Sequence, residues 1–184
     1  MDIAKITDQL SIKRQTVESY LNALEALYIA ERVPSWTATD YARVAGKDKL
    51  FMSDCGLMTS ILTWNIDQMR FDSDRSGKLF KTIAFTELSS LVESTGTHSL
   101  YHYRDWEQRE IDFLVEDEST GNLLGVEVKA SRSVGARDFQ HLVWFRDNIA
   151  QERSFTGIVL YSGDTIIEFG PHFRALPFGI LWDS

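Results

Sequence analysis

Glu110-Ile111-Asp112-Phe113-Leu114-Val115 and, a polar turn later, Leu123-Leu124-Gly125-Val126-Glu127-Val128-Lys129 are the stretches whose reading decides the fold. Each is apolar over a strand's length, and residues 117–122 between them carry the Asp, Ser, Thr, Gly and Asn of a turn. Strands joined this way form a hairpin. Side chains alternate along a strand, so Glu127 and Lys129 share one face, and the hairpin can set Asp112 beside Glu127. Two converging carboxylates suit a hard divalent cation, Mg²⁺ or Mn²⁺. Such an ion polarises a phosphodiester and acidifies its bound water, and Lys129 would orient that water or stabilise developing charge. The plain alternative is a Glu-x-Lys pair that forms a solvated ion pair on a strand and binds nothing.

Working outward, Leu79 to Glu93 has helical spacing, with Leu79, Ile83, Leu88, Leu91 and Val92 apolar. Glu87 falls at the edge of that face, where a carboxylate is costly without a partner. A strand over Ser99–Arg104 follows. Beyond the hairpin come a helix over Arg137–Ile149, with Phe139, Leu142, Val143 and Arg146 at helical offsets, and strands over Gly157–Tyr161 and Thr165–Phe169. Gln140 and His141 on that helix read as surface residues. The pattern predicts an α/β (α+β) fold, a mixed sheet flanked by helices.

Towards the N-terminus, Ile3, Ile6 and Leu10 share a helical face, and Ser11 breaks it. A second helix opens at Lys13 with the stripe Val17, Tyr20, Leu21, Leu24 and Leu27, which makes a helix-turn-helix. Its first turn presents Lys13, Arg14, Gln15 and Thr16, donor types that contact phosphates and base edges. Tyr28–Pro34 reads as a strand and Lys49–Asp54 as its return, so the segment between, with Gly46, is a wing. The expectation is a winged helix over residues 1–66, lacking a helix before Ile3, and a second domain over residues 67–184. The polar run Asp72-Ser73-Asp74-Arg75-Ser76-Gly77 serves as the loop between them. Winged helices also work as protein–protein adaptors, and that reading stays open.

Composition narrows the function classes. At 43% hydrophobic and 25% charged, the chain is of ordinary globular make-up. No apolar run reaches the roughly 18 residues of a membrane span, and no signal-peptide pattern opens the sequence. The single cysteine, Cys55, cannot form an internal disulfide and lies in apolar surroundings; a cytoplasmic protein is expected. The net charge of −8 opposes a general grip on duplex DNA, so DNA contact must use a local patch, a metal or a partner. Gly77-Lys78 is not a phosphate-binding loop, because Leu79 stands where Ser or Thr is required and no glycine lies five residues earlier. These 184 residues therefore show no ATP site.

Glu110–Val115 followed by Gly125-Val126-Glu127-Val128-Lys129-Ala130-Ser131 resembles the core of the PD-(D/E)XK nuclease superfamily. More narrowly, the chain resembles the C-terminal region, of uncharacterised function, in a bacterial and archaeal AAA-type ATPase family. The matching segments are Thr16-Val17-Glu18-Ser19-Tyr20-Leu21, Lys49-Leu50-Phe51-Met52-Ser53-Asp54-Cys55-Gly56-Leu57, Tyr103-Arg104-Asp105, Val159-Leu160-Tyr161-Ser162-Gly163 and Leu176-Pro177-Phe178-Gly179-Ile180-Leu181-Trp182. The resemblance implies a restriction-endonuclease-like fold, with Asp112 and Glu127 as metal ligands and Lys129 as catalytic lysine. ATP would bind only in a domain upstream. Related proteins place a further glutamate on the first helix; this chain offers Glu87 late and has Lys81 at the earlier position. Three roles follow as expectations: a metal-dependent DNA nuclease, a nuclease-like binding or regulatory module, and a scaffold that assembles the ATPase into oligomers.

Overall fold

The apolar strands of the C-terminal part find one another in a single mixed sheet. A computed structural model of the chain describes residues 3–38, 47–69 and 71–182. Its strands are β1 (Ala30–Val33), β2 (Lys49–Met52), β3 (His98–Arg104), β4 (Glu110–Asp117), β5 (Leu123–Lys129), β6 (Phe155–Tyr161), β7 (Ile167–Glu168) and β8 (Phe173–Pro177). The last six form one sheet in the order β3-β4-β5-β6-β8-β7, and β1 and β2 form a separate antiparallel ribbon. Within the sheet β5, β6 and β8 run parallel, and the other neighbours are antiparallel. The helices are α1 (Ile3–Leu10), α2 (Arg14–Ala26), α3 (Cys55–Ile61), α4 (Ile66–Met69), α5 (Ser73–Thr95) and α6 (Gln140–Phe145). A 3₁₀ turn (Ala136–Phe139) leads into α6 and a π turn (Arg146–Ala150) leaves it. The mixed α/β class expected from the sequence is the class adopted. No helix among the described residues is long and apolar enough to cross a membrane.

Each face of the sheet carries its own core. Under α5, Ala84, Phe85 and Leu88 pack on Phe113, Val126, Val128, Leu160 and Phe178. Under α6, Phe139, Leu142 and Phe145 pack on Ile111, Leu123, Phe155, Val159 and Tyr161. Gly157 is required here, since a Cβ would fall within 2.6 Å of two ring atoms of Phe173. A bulge sits in the middle of β4. Tyr101 pairs with Leu114 but Tyr103 with Ile111, so Asp112 and Phe113 together oppose His102.

Residues 73–77 correct the expected loop. Asp72 caps α5, its side chain accepting from the amides of Asp74 (3.1 Å) and Arg75 (3.0 Å), and the polar run is the exposed start of the helix. The far end closes on Gly96, whose φ of 65° is the left-handed C-terminal cap that glycine adopts freely. The buried stripe of α5 also differs from the one read in the sequence. It runs through Thr82, Ala84, Phe85 and Leu88, while Leu91 is 60% exposed.

In the N-terminal third, α1 packs on α2, and of the expected α2 stripe only Val17 and Leu21 are buried. Tyr20, Leu24 and Leu27 are 63%, 36% and 68% exposed. The wing segment around Gly46 lies outside the described residues. The ribbon is fastened to the sheet at the edge of β3. Pro34–Trp36 lies along the outer edge of β3, with the Trp36 amide donating to His102 O (2.7 Å) and the His102 amide to Pro34 O (3.0 Å). The Trp36 indole N–H donates to Glu116 Oε2 at 3.1 Å, and its ring meets Phe145 edge-on at 5.4 Å.

His102 sits beneath this junction, buried, with Nε2 at 3.0 Å from Lys47 O. Burial, then the charge of Lys49, pulls its pKa from 6.5 down to about 4. Between those values the unfolded chain takes a proton that the native chain refuses, so His102 costs stability as pH falls from 6.5 to 4. His102→Gln is expected to flatten the fall of the urea midpoint across that window. An unchanged slope would remove His102 from the acid response.

Candidate functional site

The hairpin ladder ends early, and its end makes the site. β4 and β5 pair from Glu116–Leu123 to Phe113–Val126. Beyond that point β4 stays with β3 as far as Glu110, while β5 stays with β6 as far as Lys129. The strands splay and leave a notch. In it the Val128 amide donates to Asp112 Oδ2 (3.1 Å), so a side chain serves where a strand carbonyl would otherwise accept. Asp112 and Glu127 are both buried there. Val126 and Val128 belong to the α5-side core, whereas Val159 and Tyr161, which pair with Glu127 and Lys129, belong to the α6-side core. Glu127 and Lys129 therefore do share a face.

Cations meet these acids from three directions. Lys81 Nζ of α5 donates to Asp112 Oδ1. Lys49 Nζ of β2 lies 2.5 Å from Glu110 Oε1 and 3.9 Å from Asp112 Oδ1. Arg104 stands 3.8 Å from Glu110. Lys129 Nζ turns to Asp138 Oδ1 at 3.6 Å, so the plain alternative of a Glu127–Lys129 ion pair is not what forms. His141 Nδ1 lies 3.1 Å from Glu110 O, which makes it more than a surface residue, whereas Gln140 is exposed.

Helix rotation decides which α5 residue reaches the notch. Lys81 precedes Phe85 and Leu88 by four and seven residues, so it lies on the buried stripe. Glu87, six residues further along, is turned by about 240° and displaced by about 9 Å. Its Oε1 accepts from the Trp182 indole N–H at 3.0 Å. The structure brings together Asp112, Glu127 and Lys81, and it leaves Glu87 elsewhere.

The titration behaviour follows. Burial, then the Asp112 charge, raises the Glu127 pKa well above 4.5, against the pull of Lys129 and Lys81. The nearness of Asp112 thus adds to the effect of burial on Glu127. For Lys81, burial alone would lower the pKa, but the charge and hydrogen bond of Asp112, with Glu127 and Glu110 behind, raise it above 10.5. For Glu110, burial is outweighed by the charge and hydrogen bond of Lys49, and the pKa falls below 4.5.

A divalent cation does not fit this arrangement. Among the described residues no group of three or more His, Cys, Asp or Glu is disposed to hold a metal ion. Both Asp112 oxygens already have protein donors, and an ammonium stands beside the two acids. What the notch holds is two buried acids with a set of cations around them.

The predicted nucleic-acid contacts lie on another element. Lys13, Arg14 and Gln15 are exposed and Thr16 is half-buried, at the start of α2. Arg14 Nε pairs with Glu18 at 2.7 Å; both side chains are solvated, so the pair is weak.

A family model described as a domain of unknown function, DUF4143, matches residues 76–181, and a second of the same description, DUF8612, matches residues 1–68. The chain belongs to the DUF4143 family. Uncharacterised proteins of Mycobacterium bovis and Mycobacterium tuberculosis are each 27% identical over 126 residues, which cover 68% of this chain and 27% of theirs. The chain thus spans about a quarter of the length of these relatives. A solved half-complex from a tetradecameric assembly of Thermococcus gammatolerans McrB AAA+ hexamers with bound McrC is similar at 9% identity and a TM-score of 0.38, over 55% of this chain and 27% of that one. So slight a likeness carries no argument. The DUF4143 segment supplies Lys81, Asp112, Glu127 and Lys129, while Lys49 comes from the other matched segment.

Above pH 4.5 native Glu127 keeps a proton that the unfolded chain releases, so its contribution to stability declines as pH rises towards the folded pKa. Glu127→Gln, which mimics the protonated acid, is expected to fold and to lose less stability than wild type as pH rises from 4.5. Thermal melts from pH 4.5 upwards check it; a steeper loss in the variant than in wild type would overturn the raised pKa of Glu127.

Proposed function

We propose that this chain is a nucleic-acid-related module of an AAA-type ATPase, built on a nuclease-like core that binds or regulates rather than cuts. The observation that supports it best is the state of Asp112. One oxygen takes the Val128 amide and the other the Lys81 ammonium, so the acid that would hold a catalytic metal is already used. The nuclease-like descent is supported by Asp112, Glu127 and Lys129 at the parting of a hairpin. ATPase association is supported by the sequence resemblance and by relatives about four times as long as the matched stretch. The chain's own residues then have definite tasks. Lys81 and Lys49 neutralise Asp112 and Glu110, burial favours the neutral form of Glu127, and Lys13 and Arg14 offer phosphate contacts at a helix start.

A metal-dependent DNA nuclease is the second reading. It is favoured by the side-by-side burial of Asp112 and Glu127, since two such acids repel and a cation relieves them.

Fluorescence anisotropy with duplex and branched DNA at low salt, beside cleavage of supercoiled and branched DNA in Mg²⁺ or Mn²⁺, tests the choice. Binding without cleavage is expected. Lys13→Ala with Arg14→Ala should weaken binding and reduce the salt slope by about two counterions. Cleavage by the wild type that vanishes in Glu127→Ala and Lys129→Ala would establish the nuclease instead. Absence of any DNA binding would leave the N-terminal unit a protein adaptor.

A further inference from the structure

We propose that Lys81 is the resident cation of the Asp112–Glu127 pair, standing where a hard divalent cation would stand, and that removing its charge opens a Mg²⁺ or Mn²⁺ site. This deepens the non-cutting reading above and rests on it for its meaning, though the geometry stands alone. Two neighbouring buried carboxyls need compensation, which a proton, a metal or a side-chain ammonium can supply. Here the ammonium is tethered. The methylene stem of Lys81 starts on the buried stripe of α5 with Phe85 and Leu88, and its Nζ ends on Asp112 Oδ1. Its reach is set by the packing of the helix on the sheet rather than by any ion in solution.

A second cation reinforces the first. Lys49 Nζ lies 3.9 Å from the same oxygen, though its main partner is Glu110 at 2.5 Å. A divalent ion entering the notch would have to displace Lys81 from Asp112 and lie beside Lys49. It would also need several further oxygen ligands, and α5 offers none at that level, since Glu87 is engaged by Trp182 on another side of the helix. A glutamate at position 81 would reverse all of this. The repelling charge would go, and a third carboxylate would arrive on the same buried stripe, aimed at the same pair of acids.

The test is Mn²⁺ titration of the full chain, following the loss of the free-ion EPR signal, with thermal melts in Mn²⁺ and in EDTA. Wild type is expected to bind no Mn²⁺ at the notch and to melt alike in both. Lys81→Glu is expected to melt lower in EDTA, to regain stability in Mn²⁺, and to bind one ion at least about tenfold more tightly than wild type. Adding Asp112→Asn to that variant should abolish the binding. Should Lys81→Glu fail to fold, Lys81→Gln removes the charge with little change of shape and is expected to bind Mn²⁺ more tightly than wild type. Wild-type binding of one Mn²⁺ that Asp112→Asn removes would overturn the proposal, as would folded variants at position 81 that bind no better than wild type. No readout involves nucleic acid, so a failure to bind DNA would sink the functional reading and leave this one intact.

Discussion

Once β4 and β5 part, the Val128 amide is inside the protein and must find an acceptor. An unpaired buried donor costs about 1–3 kcal/mol, and Asp112 Oδ2 removes that cost. The bulge at Asp112–Phe113 allows this, because an extra residue in β4 lets Asp112 leave the regular alternation while Phe113 still packs under α5. Asp112 held there meets a cation on its other oxygen, the Lys81 ammonium of α5. The early end of the ladder, the placing of the helix and the charge of the notch are thus one linked constraint. A substitution at Asp112 would disturb the backbone of β5 as well as any chemistry, so loss of function in such a variant would not by itself identify a catalytic acid.

The same electrostatics ties the two matched segments together. Lys49, from the ribbon, pairs with Glu110 of the sheet, while Trp36 hangs from Glu116 and the Pro34–Trp36 strand edge covers β3. Buried ion pairs stabilise weakly against well-packed apolar replacements, but a broken one is costly. Lys49 with Glu110 therefore sets how the ribbon sits more than how strongly it holds. Val33 in the α5-side core and Trp36 in the α6-side core contribute the apolar part of that junction. The bridge at Ser35–His102 also pairs both backbone groups of His102 on the edge of β3, groups of a kind that otherwise invite association.

Sequence reasoning reached β3 to β6 because their apolar runs are long and a turn-rich segment separates the central pair. It missed β8, where Arg174 and Pro177 interrupt a short pattern, and it read the start of α5 as a loop because Ser, Asp and Gly serve equally in turns and in an exposed first helical turn. The shared face of Glu127 and Lys129 was legible from alternation, and the nearness of Asp112 to Glu127 from the hairpin. The resemblance marked Lys81 as standing at the earlier glutamate position, but neither its contact with Asp112 nor the arrival of Lys49 was legible. Lys81 faces the notch only because α5 is rotated so that Phe85 and Leu88 are buried, and Lys49 arrives through the docking of a ribbon on a distant strand. Neither fact is local, and neither leaves a periodic trace. Glu87 appeared attractive because the stripe was drawn through Ile83 and Leu91, whereas Leu91 is exposed.

The charge pattern bears on what can approach the protein. Around the notch Glu110 is matched by Lys49, Asp112 by Lys81 and Asp138 by Lys129, and the raised pKa of Glu127 favours its neutral form. The excess that gives the chain its net −8 therefore resides elsewhere on its surface. At physiological ionic strength a charge is felt over about 8 Å, so a polyanion would meet each patch separately rather than an averaged acidic body. A compensated notch neither attracts nor repels it strongly. The start of α2 differs, with Lys13 and Arg14 exposed and Glu18 as the acid paired with Arg14. Local screening thus lets the start of α2 present its own charge, apart from the net charge of the chain and from the compensated acids of the notch.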